Sequence, residues 1–187
     1  DRASGKSALV AELQSSKAQW IDANQVLYAG AFDGIDADVR IVLSLDGCEA
    51  DVVLREQIDP ELLGELGFNP LTTRVLVLTE FFDPPEATVE LRSSATDSDT
   101  LPVAVDEDVS FGHLRIGSGK AFGLDAQSGL SVPVFKGWEK IEGRQFLVEG
   151  AEYMALVPLL ERLPAPGQAR LDAMKAKVRR TAAISPK

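Results

Sequence analysis

The sequence has 187 residues, 45% of them apolar, and a formal net charge of −10. Its single histidine, His113, and single cysteine, Cys48, exclude by count a His-rich metal centre, a two-cysteine redox pair and an internal disulfide. No run approaches the roughly 18 apolar residues of a membrane span, so no integral membrane segment is expected.

The charge is unevenly spread. Residues 165–187 carry Arg170, Lys175, Lys177, Arg179, Arg180 and Lys187 against Asp172, a net of +5, so the rest of the chain carries −15. An acidic body repels nucleic acid, and no nucleic-acid partner is expected. No signal peptide is visible at Asp1, but a cleaved one would leave no trace.

In chain order, residues 6–18 are good helix formers with a thin apolar stripe and predict a short helix. From Asn24 to Gly150 the texture changes to short β-like runs broken by Gly, Asp and Pro. Over Asp38–Leu45, Val39, Ile41, Leu43 and Leu45 alternate with the intervening residues, a period of two that puts them on one face. Asp46-Gly47 then signals a hairpin, with Ala50–Arg55 as the partner strand. Asp59-Pro60 before Glu61-Leu62-Leu63 predicts a capped helical turn that stops near Gly67.

Arg74–Thr79 is apolar on both faces and predicts a central strand. Ala87–Leu91 predicts a strand with one wet face, and residues 93–100 a polar loop. Val109–Ile116 and Lys120–Asp125 predict a hairpin joined at Gly117-Ser118-Gly119. Leu130–Phe135 and Arg144–Val148 add strands, the first at an edge or bulged because of Pro133. Ala151–Leu163 returns to helical spacing, with Pro158 either in a first turn or marking a break. Pro164–Gly167 is a stop, and residues 168–180 form a second helix with Leu171, Met174 and Val178 on one side.

Seven or more short strands predict a mainly β fold, an antiparallel β-sandwich or sandwich-like barrel, with one N-terminal helix and C-terminal helices. The expected organisation is a helical segment over 1–23, a β-rich core over 24–164 and a basic tail over 165–187.

Motifs for chemistry are sparse. Gly5-Lys6-Ser7 matches only the tail of a phosphate-binding loop, without the earlier glycine and buried strand. Gly117–Lys120 has strand-like flanks and offers no helix N-terminus to an anion. His113, alternating with Phe111 and Arg115, has no nucleophile placed beside it. Asp33, Asp36 and Asp38, and Asp97, Asp99, Asp106, Glu107 and Asp108, would suit calcium, but solvated turn carboxylates explain them more simply. Cys48 follows a tight turn between acidic neighbours that disfavour its thiolate. No cofactor is implied, and catalysis by His113 or paired carboxylates is the least supported reading.

Two features point to binding. Trp138, between charged hairpin arms, would serve as a ligand-stacking platform if exposed, or as a plug at one end of a sandwich if not. Residues Leu171, Met174, Lys175, Val178 and Arg179 give the terminal helix an apolar stripe with basic sides. That helix would meet a protein partner or a second copy, or pack on its own acidic body.

The stretch Val132–Pro164, with its Val-Pro-Val, Lys-x-Trp, Glu-Gly-Arg, Phe-Leu-Val-Glu and a helix ending in Leu-Pro, resembles β-rich modules in large secreted proteins of environmental Gram-negative bacteria. The resemblance implies an extracytoplasmic, non-catalytic piece of a larger assembly and carries over no catalytic residue. The combined expectation is a structural or interaction module. The alternative is a small-molecule or glycan-binding domain using Trp138.

Overall fold

The structure is a computed structural model that describes residues 1–45, 47–92, 106–124 and 129–184, with side chains for all of these except Arg92 and 179–184. The described chain is mainly β, and its strand pairs are antiparallel. It divides into two compact units. Unit 1 takes Asp1, Ala3–Pro70 and Leu160–Lys187; unit 2 takes Arg2 and Leu71–Leu159. The β-rich core expected over 24–164 is therefore shared between two units, and both chain ends belong to unit 1.

Unit 1 holds a four-stranded meander of β1 (Ala18–Asp22), β2 (Gln25–Tyr28), β3 (Ala37–Leu43) and β4 (Cys48–Leu54), in that spatial order. The β3–β4 hairpin is the one read from alternation, with Val39 opposite Val52 and Leu43 opposite Cys48. Asp46 of its turn lies outside the described residues. The helix α1 (Pro60–Glu65) also forms as expected. Asp59 accepts a hydrogen bond from the Glu61 N–H at 2.8 Å, Pro60 needs no donor partner at the helix start, and Gly67 closes the turn at φ +70°.

The helix expected over residues 6–18 does not form. Residues 10–14 run extended beside 30–34: Gln14 N–H donates to Ala31 O at 2.9 Å, Asp33 N–H donates to Glu12 O at 3.1 Å, and Leu13 bridges Phe32. Further along, Ala18–Asp22 is strand β1. Local helix preference is a weak force, and backbone partners distant in sequence override it here.

The C-terminal helix α3 (Gln168–Ile184) packs within unit 1. Met174 and Val178 join Ile58, Leu62, Leu63 and Leu160 among the buried apolar residues. Its basic side chains meet the acidic body as their charge suggests: Lys175 with Glu65 at 2.7 Å, Lys177 with Asp33 at 2.7 Å, and Arg170 with Glu56 at 3.3 Å. Of the tail expected over 165–187, Met174 and Val178 are thus buried in this unit.

Unit 2 has two sheets. One is ordered β5 (Arg74–Phe81), β11 (Arg144–Glu152), β10 (Ser131–Ile141), β9 (Gly119–Phe122). The other is ordered β6 (Thr88–Arg92), β7 (Asp106–Phe111), β8 (Leu114–Ile116). The helix α2 (Tyr153–Leu160) follows β11 directly and contains Pro158, which removes one helical donor two residues before the helix ends.

Three expectations for this unit change. Arg74–Thr79 lies in β5 at a sheet edge rather than the centre, because among the described residues only β11 pairs with it, and Leu76 and Leu78 stay exposed. The run 109–116 is not one strand: Gly112, at φ +62°, and His113 turn it into the β7–β8 hairpin. The partner of β9 is β10, so Gly117–Gly119 joins two sheets instead of closing a hairpin. Pro133 sits as expected at a local edge. Val132–Val134 pair only with β9, and pairing with β11 begins at Phe135.

Candidate functional site

The register of the unit 1 sheet decides which side chains share a face. Directly opposed residues of an antiparallel pair point the same way, and residues two apart along a strand do too. One face therefore collects Ala18 and Trp20 of β1, Val26 and Tyr28 of β2, Ala37, Val39, Ile41 and Leu43 of β3, and Cys48, Ala50, Val52 and Leu54 of β4. None of the twelve is charged, and only Ala37 is buried; the charged Asp22, next in alternation after Trp20, is paired with Gln25 by a register shift at the end of β1. Trp20 is 72% exposed and Leu43 46%.

The other face is mixed. It carries Gln19, Gln25, Asp38, Arg40, Glu49 and Asp51 among Leu27, Val42 and Val53. Arg40 donates to Asp51 through Nη2 at 2.7 Å and Nε at 3.0 Å. Asp38, 7% exposed in its side chain, accepts from Arg55 Nε at 2.7 Å and from the Gly30 N–H at 2.9 Å. An antiparallel sheet normally hides its apolar face and wets the other. Here the face with charged groups carries these polar contacts, and on the uncharged face Ala18, Trp20, Leu43, Cys48 and Ala50 are exposed while Val26, Tyr28, Val39, Ile41, Val52 and Leu54 are half-buried.

Trp138 is half-buried. It makes edge contacts with Phe81 (centroids 5.0 Å apart) and Phe111 (5.2 Å), and its backbone N–H donates to Glu107 at 2.7 Å. Its half-buried ring is thus engaged with two aromatic neighbours. The exposed tryptophan is Trp20, which sequence reading missed because it adjoins the helix-like segment.

Of the terminal-helix residues, Met174 (2% exposed) and Val178 (4%) are buried, and Leu171 is half-buried. Lys175 is bound to Glu65, and the side chain of Arg179 lies outside the described residues. The stripe expected to meet a partner is therefore spent largely inside the unit.

The remaining motifs acquire ordinary surroundings. Gly5-Lys6-Ser7 leads into extended chain rather than a helix, and His113 is exposed in the β7–β8 turn. Asp33 accepts from the Glu12 N–H and from Lys177, and the Asp36 N–H donates to Glu56. Asp106 accepts from Lys136, Glu107 from the Trp138 N–H, and Asp108 from Arg115. Asp97 and Asp99 fall outside the described residues. Among the described residues no three His, Cys, Asp or Glu side chains group to hold a metal, and no helix is long and apolar enough to cross a membrane. Cys48 is exposed, beside Leu43 on the open face. No protein-family model, no curated protein and no solved structure matches this chain.

Proposed function

We propose that the chain is a non-catalytic structural or interaction module of an extracytoplasmic assembly. It docks through the apolar face of β1–β4, and the occupant is a second copy of the chain. The observation that carries this reading is the uncharged face, with only Ala37 of its twelve residues buried. A chain of net charge −10 repels its own copy. Apposing two such faces brings no like charges together, and sheets stack face to face about 10 Å apart.

The footprint sets the strength. Four strands about 4.8 Å apart, with up to seven residues of about 3.4 Å each, give roughly 450 Å². A permanent pair needs about 800 Å² per partner. Pairing is therefore concentration-dependent, and added salt strengthens it by screening the acidic bodies. The Phe81–Trp138–Phe111 contacts between β5, β10 and β7 support reading unit 2 as a small sandwich. The extracytoplasmic placement rests on the resemblance of Val132–Pro164, and recovery of the native protein from cytoplasm alone would remove it.

Light scattering across concentration and salt tests the assembly. The expected result is a monomer–dimer equilibrium that Trp20→Lys and Leu43→Lys both shift to monomer while circular dichroism stays unchanged. A wild-type chain that is monomeric at every concentration overturns the second copy as occupant.

A further inference from the structure

Among the described residues, Lys136 is the largest fully buried side chain, at 0% exposure. Its Nζ donates to Asp106 Oδ1 at 2.7 Å, and its backbone N–H donates to the same oxygen at 3.1 Å. The two residues sit on β10 and β7, strands of different sheets in unit 2, and are 30 positions apart in sequence. Glu149 of β11 stands opposite Lys136 in register, which places a second carboxylate on the face of the reacting amine. Val109 (0% exposed) and Leu147 (5%) are apolar neighbours along β7 and β11.

We infer that Lys136 and Asp106 are joined by an intramolecular amide bond that the folded chain forms itself. Burying an ion pair is expensive, and condensation removes both charges at once. A lysine taken out of water is a nucleophile, and the buried contact holds it against its electrophile at near-reaction distance. One proton passes from Nζ across the hydrogen bond to the Asp106 carboxyl. The nitrogen lone pair attacks Cγ, and the C–N bond forms. The Lys136 backbone N–H holds Oδ1, the oxygen that takes the proton and later leaves, while charge gathers on Oδ2 in the tetrahedral state. The second amine proton passes to the departing hydroxyl, the C–O bond breaks and water leaves. An ammonium and a carboxylate become one amide and one water, with no oxidant or external reagent. The product ties the two sheets of unit 2 covalently in a chain whose single cysteine cannot form an internal disulfide.

The test is the mass of the full chain after folding and denaturation. The expected mass is lower than the sequence mass by one water. Tryptic digestion then yields a branched peptide that joins the Asp106 and Lys136 segments, with no cleavage after Lys136. A full sequence mass, or a linear peptide ending at Lys136, overturns the inference. Asp33-Gly34 and Asp46-Gly47 can also lose water by cyclising. A deficit that persists unchanged in Lys136→Arg is of that origin and overturns it too.

Discussion

Lys177 of α3 reaches both carboxylate oxygens of Asp33 at 2.7 Å, and the same ammonium lies 3.0 Å from Glu12. The Lys177 hydrogen bond holds the Asp33 carboxyl below its ordinary value, against a smaller opposing effect of burial. Burial pulls Lys177 down, but its hydrogen bonds to Asp33 and Glu12 outweigh it and leave Lys177 raised. A lowered carboxyl stabilises the fold fully above 3.8, its ordinary value, and the contribution is lost as pH falls through the lower folded-state value. A raised lysine contributes fully below 10.5 and loses its contribution as pH rises through the folded-state value. Asp33 is 41% exposed, so solvent screening limits the effect. Lys177→Met should cost about 1 kcal/mol at neutral pH and flatten the acid limb of stability. Urea unfolding across pH checks this, and an unchanged acid limb would show that the pair contributes nothing.

Met174→Ala tests whether α3 belongs to the core. With Met174 only 2% exposed, truncation should cost about 2–5 kcal/mol in urea unfolding. A cost under about 0.5 kcal/mol would mean a surface site and a helix free to bind elsewhere.

Gly150 sits between Leu76 and Phe135 in the sheet register. A Cβ built there would lie 2.5 Å from Leu76 Cδ2 and 2.7 Å from Phe135 Cζ. Gly150→Ala should therefore lower stability by about 1–3 kcal/mol through overpacking. Thermal unfolding of the variant measures it, and wild-type stability would mean that the two side chains move aside freely.

Cys48 reports on the apolar face because it is exposed and pairs with Leu43 there. Its alkylation rate should fall as protein concentration rises, and Trp20→Lys should abolish the dependence. A rate independent of concentration in the wild type argues against face-to-face pairing.

The parts of the fold visible in the sequence were those specified locally. The β3–β4 hairpin follows from alternation over 39–45 and an Asp-Gly turn, α1 from Asp59-Pro60, and α3 from the spacing of Leu171, Met174 and Val178. The hidden parts depend on distant partners. Residues 6–18 are helix formers whose backbone bonds go to 30–34 instead. Arg74–Thr79 is apolar on both faces, so only its neighbours could reveal an edge. The apolar face showed only its β3 row, because the remainder needs the register of four strands. The Lys136–Asp106 contact joins strands of two sheets and leaves no local pattern at all.

Unit 1 draws on both ends of the chain and unit 2 on its middle. A ribosome therefore completes unit 2 before it has made α3. Asp33 and Lys177 are 144 residues apart, which at 5–20 residues per second is roughly 7–30 s of synthesis. For most of that interval Leu62 and Leu63 are made but lack the helix that carries Met174 and Val178. The order of synthesis, rather than final stability, decides which half of this protein must be shielded from neighbours while it is being made.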